Sequence, residues 1–315
     1  MSEFKKILRQ GFIQMSVPAK LLLVLLLALF FMIVGSAAAV IISKPLFGYD
    51  MSTLYKLIEN PDAKHVAVVK FFQIVQSVFL FLVPALLAAW LFSDNAIKYL
   101  QADRKVSAYT FTMIMLSMFI AIPLMNFVTY FNSTLDLPDF FNGLENKIRT
   151  LEDSAGRLTE LFLESNSYGD LAVNFLMIAV LPALGEEFLF RGVLQRLFID
   201  WTRNKHAGVI VAAFLFSFIH FQFYGFLPRF LLGLYFGYLL VWSSSIWVPV
   251  AGHLINNGIA VFYYHFATKP MGDTMMDKLG TEQGEYYALY LSVFFTSVII
   301  GLIYLHEKQA KSIQS

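Results

Sequence analysis

Long apolar runs with almost no charge constrain what this chain can fold into more than any other feature. The run 21–43 contains no charged residue and is long enough to cross a bilayer core of about 30 Å. Similar runs recur along the 315 residues, which are 58% hydrophobic and only 14% charged, whereas soluble domains carry about 25% charged residues. The chain is therefore predicted to be an all-α membrane protein.

About eight transmembrane helices are predicted, forming a bundle around a polar intramembrane cavity. A secretory signal peptide is the alternative for the first run, because Ser36-Ala37-Ala38-Ala39 resembles a cleavage site. The apolar run continues beyond that point to residue 43, which favours a retained helix. The predicted crossings are 21–43, 71–92, 109–131, 172–197, 208–226, 228–243, 247–267 and 286–305.

Charge between these helices predicts five parts of the chain and its orientation. The positive-inside rule places a basic segment, 1–20, and the tail, 306–315, in the cytoplasm. The acidic segment 132–170 is predicted to lie on the other side and to contain an amphipathic helix. The N-terminal transmembrane helices occupy 21–131, and a transmembrane core with the candidate catalytic residues occupies 171–305. We expect a multi-pass protein of a bacterial inner membrane, with both termini cytoplasmic.

Net charge and cysteine content exclude several kinds of chemistry. The net charge is +1, so no strong basic field indicates a nucleic-acid partner. Cysteine is absent, which excludes disulfides, thiolate nucleophiles and cysteine-ligated metal centres. Any catalysis must therefore use oxygen or imidazole chemistry, and the expected partners are the lipid bilayer and a membrane-associated peptide or protein.

Two adjacent glutamates and an arginine interrupt the apolar stretch 181–197. Each ionisable group would cost roughly 2.5–3.5 kcal/mol if it faced lipid, so all three are expected to face the protein interior. Glu187 and Arg191 are four residues apart and can pair, whereas Glu186 lies about 100° around the helix. One carboxylate is then held and the other is available. A buried ion network that only fixes helix packing is the alternative.

Two further polar groups interrupt later helices. His220 is predicted about midway along the fifth crossing, and His253 and Asn257 share one face of the seventh. Either histidine alone is more often a packed core residue, but the joint pattern favours chemistry. Glu186 and His220 can activate a water molecule, and His253 and Asn257 can donate hydrogen bonds to the negative oxygen formed when a carbonyl is attacked. The set indicates amide hydrolysis.

A zinc ion is the alternative means of activating water. Glu186, His220 and His253 would form a His2Glu ligand set of a known catalytic type. The sequence lacks the H-E-x-x-H helix that supplies such ligands in many zinc proteases. This absence favours a mechanism without a metal or other cofactor.

The same residues resemble the motifs of the CPBP intramembrane proteases, the family of the type II CAAX prenyl endopeptidases and the bacteriocin-processing or Abi proteins. The resemblance covers roughly residues 174–266, and all three motifs occur in order. They are Glu186-Glu187 with Arg191, Phe216 with His220 four residues later, and His253 with Asn257 four residues later.

This resemblance implies a bundle of about eight helices around a cavity open to water. It implies that the chain is an endopeptidase, and a metalloendopeptidase-like mechanism is the alternative that it leaves open. The implied roles are Glu186 as general base, His220 as its partner on the water, His253 and Asn257 as the oxyanion site, and Glu187 and Arg191 as residues that shape that site.

We therefore predict an intramembrane endopeptidase that hydrolyses a peptide bond of a membrane-associated peptide or protein. A catalytically silent membrane scaffold or regulator of the same fold, which binds a partner through segment 132–170, is the first alternative. A proton-coupled transporter is the second, since buried carboxylates and histidines also form proton relays. The paired halves with interrupted helices that many transporters have are not evident in the sequence.

Overall fold

The computed structural model describes residues 3–49, 57, 64–164, 167–267, 274–282 and 286–314. Within these ranges the regular secondary structure is helical and contains no strand. The longer helices are α1 (Glu3–Gln14), α2 (Val17–Phe47), α3 (Val66–Phe92), α4 (Ala108–Ile120), α5 (Ile122–Ser133), α6 (Asn142–Leu163), α7 (Tyr168–Thr202), α8 (Lys205–Phe218), α9 (Phe226–Ser243), α10 (Trp247–Phe266) and α11 (Tyr286–Gln314).

Five of these helices are long and apolar enough to cross a membrane, namely α2, α3, α7, α9 and α11. Helices α4 and α5 meet at a bend of 48° and form a sixth span if they are counted together. The structure thus confirms a multi-pass, all-α membrane protein. The predicted number of eight stays a prediction, because α8 is only 14 residues long and α10 does not meet the same criterion of length and apolarity.

Helix α7, which carries the two adjacent glutamates, lies at the centre of the bundle. In the most apolar 18-residue stretch of α7, 56% of the residues are buried, whereas the share in the corresponding stretch of α2 is 11%. A helix surrounded by protein can carry ionisable side chains that lipid would not tolerate. The position of α7 therefore explains how charged groups occur inside an apolar span.

Wide π turns precede the prolines of two spans. Pro84 in α3 follows the π turn Val78–Leu82, and Pro182 in α7 follows the π turn Phe175–Val180. Proline lacks a backbone N–H and its ring collides with the carbonyl group four residues earlier in a regular α-helix. The wider turns relieve this collision, so both helices continue through their prolines.

Two glycines of α9 allow its close approach to neighbouring helices. A Cβ atom at Gly233 would meet the Ala213 Cβ of α8 at 3.0 Å, and one at Gly237 would meet the Gln195 Oε1 of α7 at 2.7 Å. The freed space lets Gln195 Nε2 donate to the Gly237 carbonyl oxygen at 3.1 Å. The pair thus acts in helix packing, as small residues four apart commonly do in membranes.

Candidate active site

A buried ion pair on α7 extends to a histidine of α10. Glu187 Oε1 lies 3.0 Å from Arg191 Nη1, and His253 Nδ1 donates a hydrogen bond to the same oxygen at 2.8 Å. Glu187 is fully buried and Arg191 is 1% exposed. Arg191 Nη2 also donates to the Gly233 carbonyl oxygen at 3.3 Å. This network fixes the imidazole of His253 and leaves its Nε2 atom as the reactive nitrogen.

Two phenylalanine rings pack around this network. The Arg191 Cζ lies 4.4 Å from the ring centroid of Phe216 and 5.7 Å from that of Phe236. Phe236 stacks on His253, with centroids 5.5 Å apart and planes 17° apart, while Phe216 meets His253 nearly edge-on. A desolvated guanidinium over an aromatic face gains about 2 kcal/mol. The rings therefore stabilise the buried cation and hold the imidazole plane.

His220 lies in a loop, which corrects the prediction that it occurs midway along a crossing at 208–226. Helix α8 ends at Phe218 and α9 begins at Phe226. Phe221 has φ +51°, a left-handed conformation that turns the chain out of the helix. The sequence did not reveal this break because the loop is as rich in aromatic residues as the helices around it. We call residues 219–225 the His220 loop.

The ring of His220 is oriented by the end of its own helix. His220 Nδ1 donates to the Phe216 carbonyl oxygen at 2.8 Å, and the rings of the two residues meet edge-on with centroids 5.3 Å apart. With Nδ1 protonated, the neutral imidazole presents an unprotonated Nε2 atom. This tautomer can accept a hydrogen bond from water.

Asn257 on α10 is held by two hydrogen bonds. Its Nδ2 donates to the Ile178 carbonyl oxygen at 2.8 Å, and Asn256 Nδ2 donates to its Oδ1 at 3.0 Å. The Ile178 carbonyl can accept this bond because Pro182, four residues later, has no N–H to offer. One N–H of the Asn257 amide is thus engaged, and the second is available to a ligand.

Four of the six predicted site residues meet at one cavity of about 360 Å³. Glu186, His220, His253 and Asn257 all line it. Glu186 is 8% exposed and, among the described residues, forms no ion pair within 4.0 Å. Glu187 and Arg191 lie behind the wall and support His253. The cavity therefore brings together an unpaired carboxylate, two imidazoles and an amide.

Several lining residues escaped the sequence analysis. Phe236 carries no signal, because it is one of 33 phenylalanines. Arg229 could have been found from the sequence, because it is a charged residue at the start of an apolar span. Charged residues at such positions are rare and often functional. Thr159 and Phe162 come from α6, and only tertiary packing brings that helix to the cavity. The missed lining residues include Arg229, Phe236, Asn256, Thr159 and Phe162.

The donor set for a metal is incomplete in the described part of the chain. No group of three or more histidine, aspartate or glutamate side chains there lies close enough together to hold a metal ion. Glu186, His220 and His253 share the cavity but do not form such a cluster. The zinc-binding alternative stays a prediction that chelation tests.

Fold and site together define a class, a multi-pass membrane protein with carboxylate, imidazole and amide groups around an intramembrane cavity. Residues 168–259 match the family model described as type II CAAX prenyl endopeptidase Rce1-like. This stretch contains all three motifs, so the part of the chain that surrounds the cavity is similar to the CAAX protease family. No curated protein and no solved structure matches the chain significantly.

Proposed function

We propose that this protein is an intramembrane endopeptidase that uses a glutamate-activated water to hydrolyse a peptide bond of a membrane-associated peptide or protein. The observation that carries the proposal is the shared cavity of Glu186, His220, His253 and Asn257. The family match supports a protease. The family description, type II CAAX prenyl endopeptidase, makes a prenylated peptide the first substrate to test.

Glu186 and His220 act on the water in this mechanism. Glu186 is the cavity carboxylate without an ion-pair partner among the described residues, so it can accept the proton of the attacking water. The unprotonated Nε2 of His220 accepts a hydrogen bond from the second O–H of that water and thereby orients the water. The oxygen then bonds to the carbonyl carbon, and the carbonyl π electrons move to the oxygen. Glu186 returns the proton to the leaving amine nitrogen as the C–N bond breaks.

His253 and Asn257 stabilise the negative oxygen in this mechanism. The second N–H of Asn257 donates to it, and His253 donates from Nε2 when the imidazole is protonated. Glu187 fixes the orientation of this imidazole, because its carboxylate accepts from Nδ1 at 2.8 Å. A donor aimed at a developing oxyanion contributes about 3–4 kcal/mol. Glu187 and Arg191 act through His253 and do not touch the substrate.

Arg229 indicates which part of a substrate enters the cavity. It lines the cavity beside Glu186 and donates to Gln222, and its Nε atom is buried without a partner among the described residues. A partly buried cation favours an anion, and a carboxylate fits guanidinium geometry. The cavity also lies near the lower end of the size range of ligand sites. Cleavage near a carboxyl terminus is therefore expected, with Arg229 binding the terminal carboxylate.

The test uses purified protein in lipid nanodiscs and a library of S-farnesylated peptides with randomised carboxyl-terminal residues, read by mass spectrometry. Glu186→Gln is expected to lower turnover by about 10²–10⁴-fold, the typical contribution of general acid–base catalysis. Asp103→Asn, which changes an exposed loop carboxylate, is the matched control. Retained turnover in Glu186→Gln would rule out the proposed base.

Two further outcomes separate the alternatives. Chelator treatment is expected to leave turnover unchanged, whereas complete loss that zinc restores would favour the zinc mechanism. The membrane scaffold would be favoured if the Glu186→Gln protein complements a deletion strain fully and a variant lacking segment 132–170 does not. Membrane fractionation of the same strains tests whether the protein resides in a bacterial inner membrane.

A further inference from the structure

We infer that α6, the helix of the acidic segment, holds the His220 loop in place through Tyr224 and thereby positions His220. This inference rests on the proposed function for the role of His220, but its structural part does not. Helix α6 lies outside the family match at residues 168–259. The device therefore involves a helix outside the stretch that resembles the family.

Tyr224 is the residue through which the His220 loop meets α6. Its hydroxyl donates to Glu145 Oε1 at 2.9 Å, and its backbone N–H donates to Glu152 Oε1 at 2.8 Å. Glu145 and Glu152 are seven residues apart, so they occupy the same face of α6 two turns apart. Tyr224 is only 8% exposed. Side chain and backbone of one loop residue are thus fixed by two carboxylates of one helix.

The carboxylate that receives the tyrosine hydroxyl is itself rigidly held. Arg149 donates to Glu145 Oε1 from Nε at 3.0 Å and from Nη2 at 2.8 Å, and the Leu137 N–H donates to Oε2 at 3.0 Å. The Arg149 Cζ lies 4.1 Å from the ring centroid of Tyr224. Hydrogen bonds from Arg149 and then Tyr224 hold the pKa of Glu145 below its ordinary value. The carboxylate is therefore charged at neutral pH, when its bonds are strongest.

The remaining ends of the loop are fixed by other helices. Asn132 at the end of α5 donates from Nδ2 to the Phe223 carbonyl oxygen at 3.0 Å and accepts from the Leu227 N–H at 2.6 Å. His220 is bonded to the last turn of α8. Between these anchors, the bonds of Tyr224 to α6 are the ones that a movement of the acidic segment would break.

The same helix also forms part of the cavity wall. Thr159 and Phe162 of α6 line the cavity together with Glu186 and His220. Asn174 at the start of α7 donates to the Phe162 carbonyl oxygen at 2.6 Å, which ties the end of α6 to the catalytic span. Displacement of α6 would therefore open the cavity and release the His220 loop together.

Hydrogen–deuterium exchange of the nanodisc-embedded full chain tests the structural part without any substrate. Glu152→Ala removes a charged acceptor, and such bonds correspond to about tenfold or more in an equilibrium constant. Exchange in 219–225 is therefore expected to quicken about tenfold, while exchange in α9 stays as in the wild type. Asp153→Ala, the exposed neighbour on α6, is the matched control. Unchanged exchange in 219–225 would overturn the inference.

Turnover of the S-farnesylated peptide library tests the catalytic part. Glu152→Ala is expected to lower kcat about tenfold with KM within about twofold, because positioning acts on the chemical step. Glu152→Gln keeps an oxygen acceptor and is expected to retain most of the wild-type kcat. The kcat of Tyr224→Phe is expected to lie between those of Glu152→Ala and Glu152→Gln. Faster exchange with normal kcat would overturn the positioning role. Retained turnover in Glu186→Gln would instead refute the proposed function and leave the exchange result standing.

Discussion

Glu187 Oε1 accepts a hydrogen bond from His253 Nδ1 at 2.8 Å while lying 3.0 Å from Arg191 Nη1. One oxygen thus balances a permanent cation and orients an imidazole. Glu186, the preceding residue, forms no ion pair within 4.0 Å among the described residues and lines the cavity. The two adjacent carboxylates therefore have different surroundings, because successive residues of a helix point about 100° apart.

The buried pair predicts strongly non-additive effects of substitution. Glu187→Gln leaves the guanidinium of Arg191 uncompensated and is expected to destabilise the protein by about 3–5 kcal/mol. The double variant Glu187→Gln/Arg191→Met removes both charges and is expected to be more stable than Glu187→Gln alone. Thermal unfolding in detergent measures both. A double variant that is no more stable than Glu187→Gln alone would contradict this.

The close approach of α8 and α9 predicts different outcomes for two glycine substitutions. Gly233→Ala places a Cβ atom 3.0 Å from the Ala213 Cβ and 3.2 Å from its Cα, so the helices must separate. Such overpacking is expected to cost about 1–3 kcal/mol. Gly301→Ala on α11 is the control, because nothing lies within 4 Å of the added atom, and it is expected to be neutral or stabilising. Equal melting temperatures for the two variants would refute the packing interpretation.

Sequence patterns predicted the apolar helices well and the breaks between them poorly. The predicted crossing 172–197 lies inside α7, because a central apolar helix with buried charges is readable from composition and spacing. The crossing 208–226 was drawn about eight residues too long at its end, because the aromatic His220 loop continues the apolar run. Apolarity reports the environment of a residue, not where a helix ends.

Short motifs also identified residues that the fold brings to one cavity, but not the residues that support them. Helical spacing places Glu187 beside Arg191, and this is local information. The stacking of Phe236 on His253 and the arrival of Thr159 from α6 depend on packing between segments far apart in the chain. No local pattern in a single sequence contains that information.

The lowered pKa of Glu145 predicts how the bond between α6 and the His220 loop depends on pH. Hydrogen bonds from Arg149 and Tyr224 lower that pKa from its ordinary 4.5, so folding is favoured by the charged form. This contribution is complete above the ordinary pKa and is lost as pH falls through the lowered folded value. At pH 7 the melting temperature of the wild type is therefore expected to be higher than that of Glu145→Gln. This difference in melting temperature is expected to shrink below about pH 4.5. A pH-independent difference would contradict this.

The proposed orientation predicts which exposed positions react from outside the cell. The chain has no cysteine, so a single introduced thiol reports one site. Asp153→Cys in the acidic segment is expected to react with a membrane-impermeant maleimide on intact cells. Lys98→Cys, at an exposed position of the one-turn helix Ala96–Tyr99 between α3 and α4, is predicted to be cytoplasmic and is expected to react only after permeabilisation. The reverse pattern would place both termini outside.

The buried Nε of Arg229 has no hydrogen-bond partner in the part of the chain that the structure describes, and this predicts a preference for peptides with a free terminal carboxylate. The wild type is expected to cleave free-acid peptides with a kcat/KM about tenfold or more above that of the same peptides with an amidated terminus, because an arginine–carboxylate bond is charge-assisted. Arg229→Gln is expected to abolish this preference, because it slows the cleavage of the free-acid peptides and leaves that of the amidated peptides unchanged. Glu152→Gln serves as the control, since Arg229 also lies near that carboxylate. If Arg229 only balances Glu152, both variants will retain the acid-to-amide ratio of the wild type, and the terminal carboxylate must then be bound elsewhere.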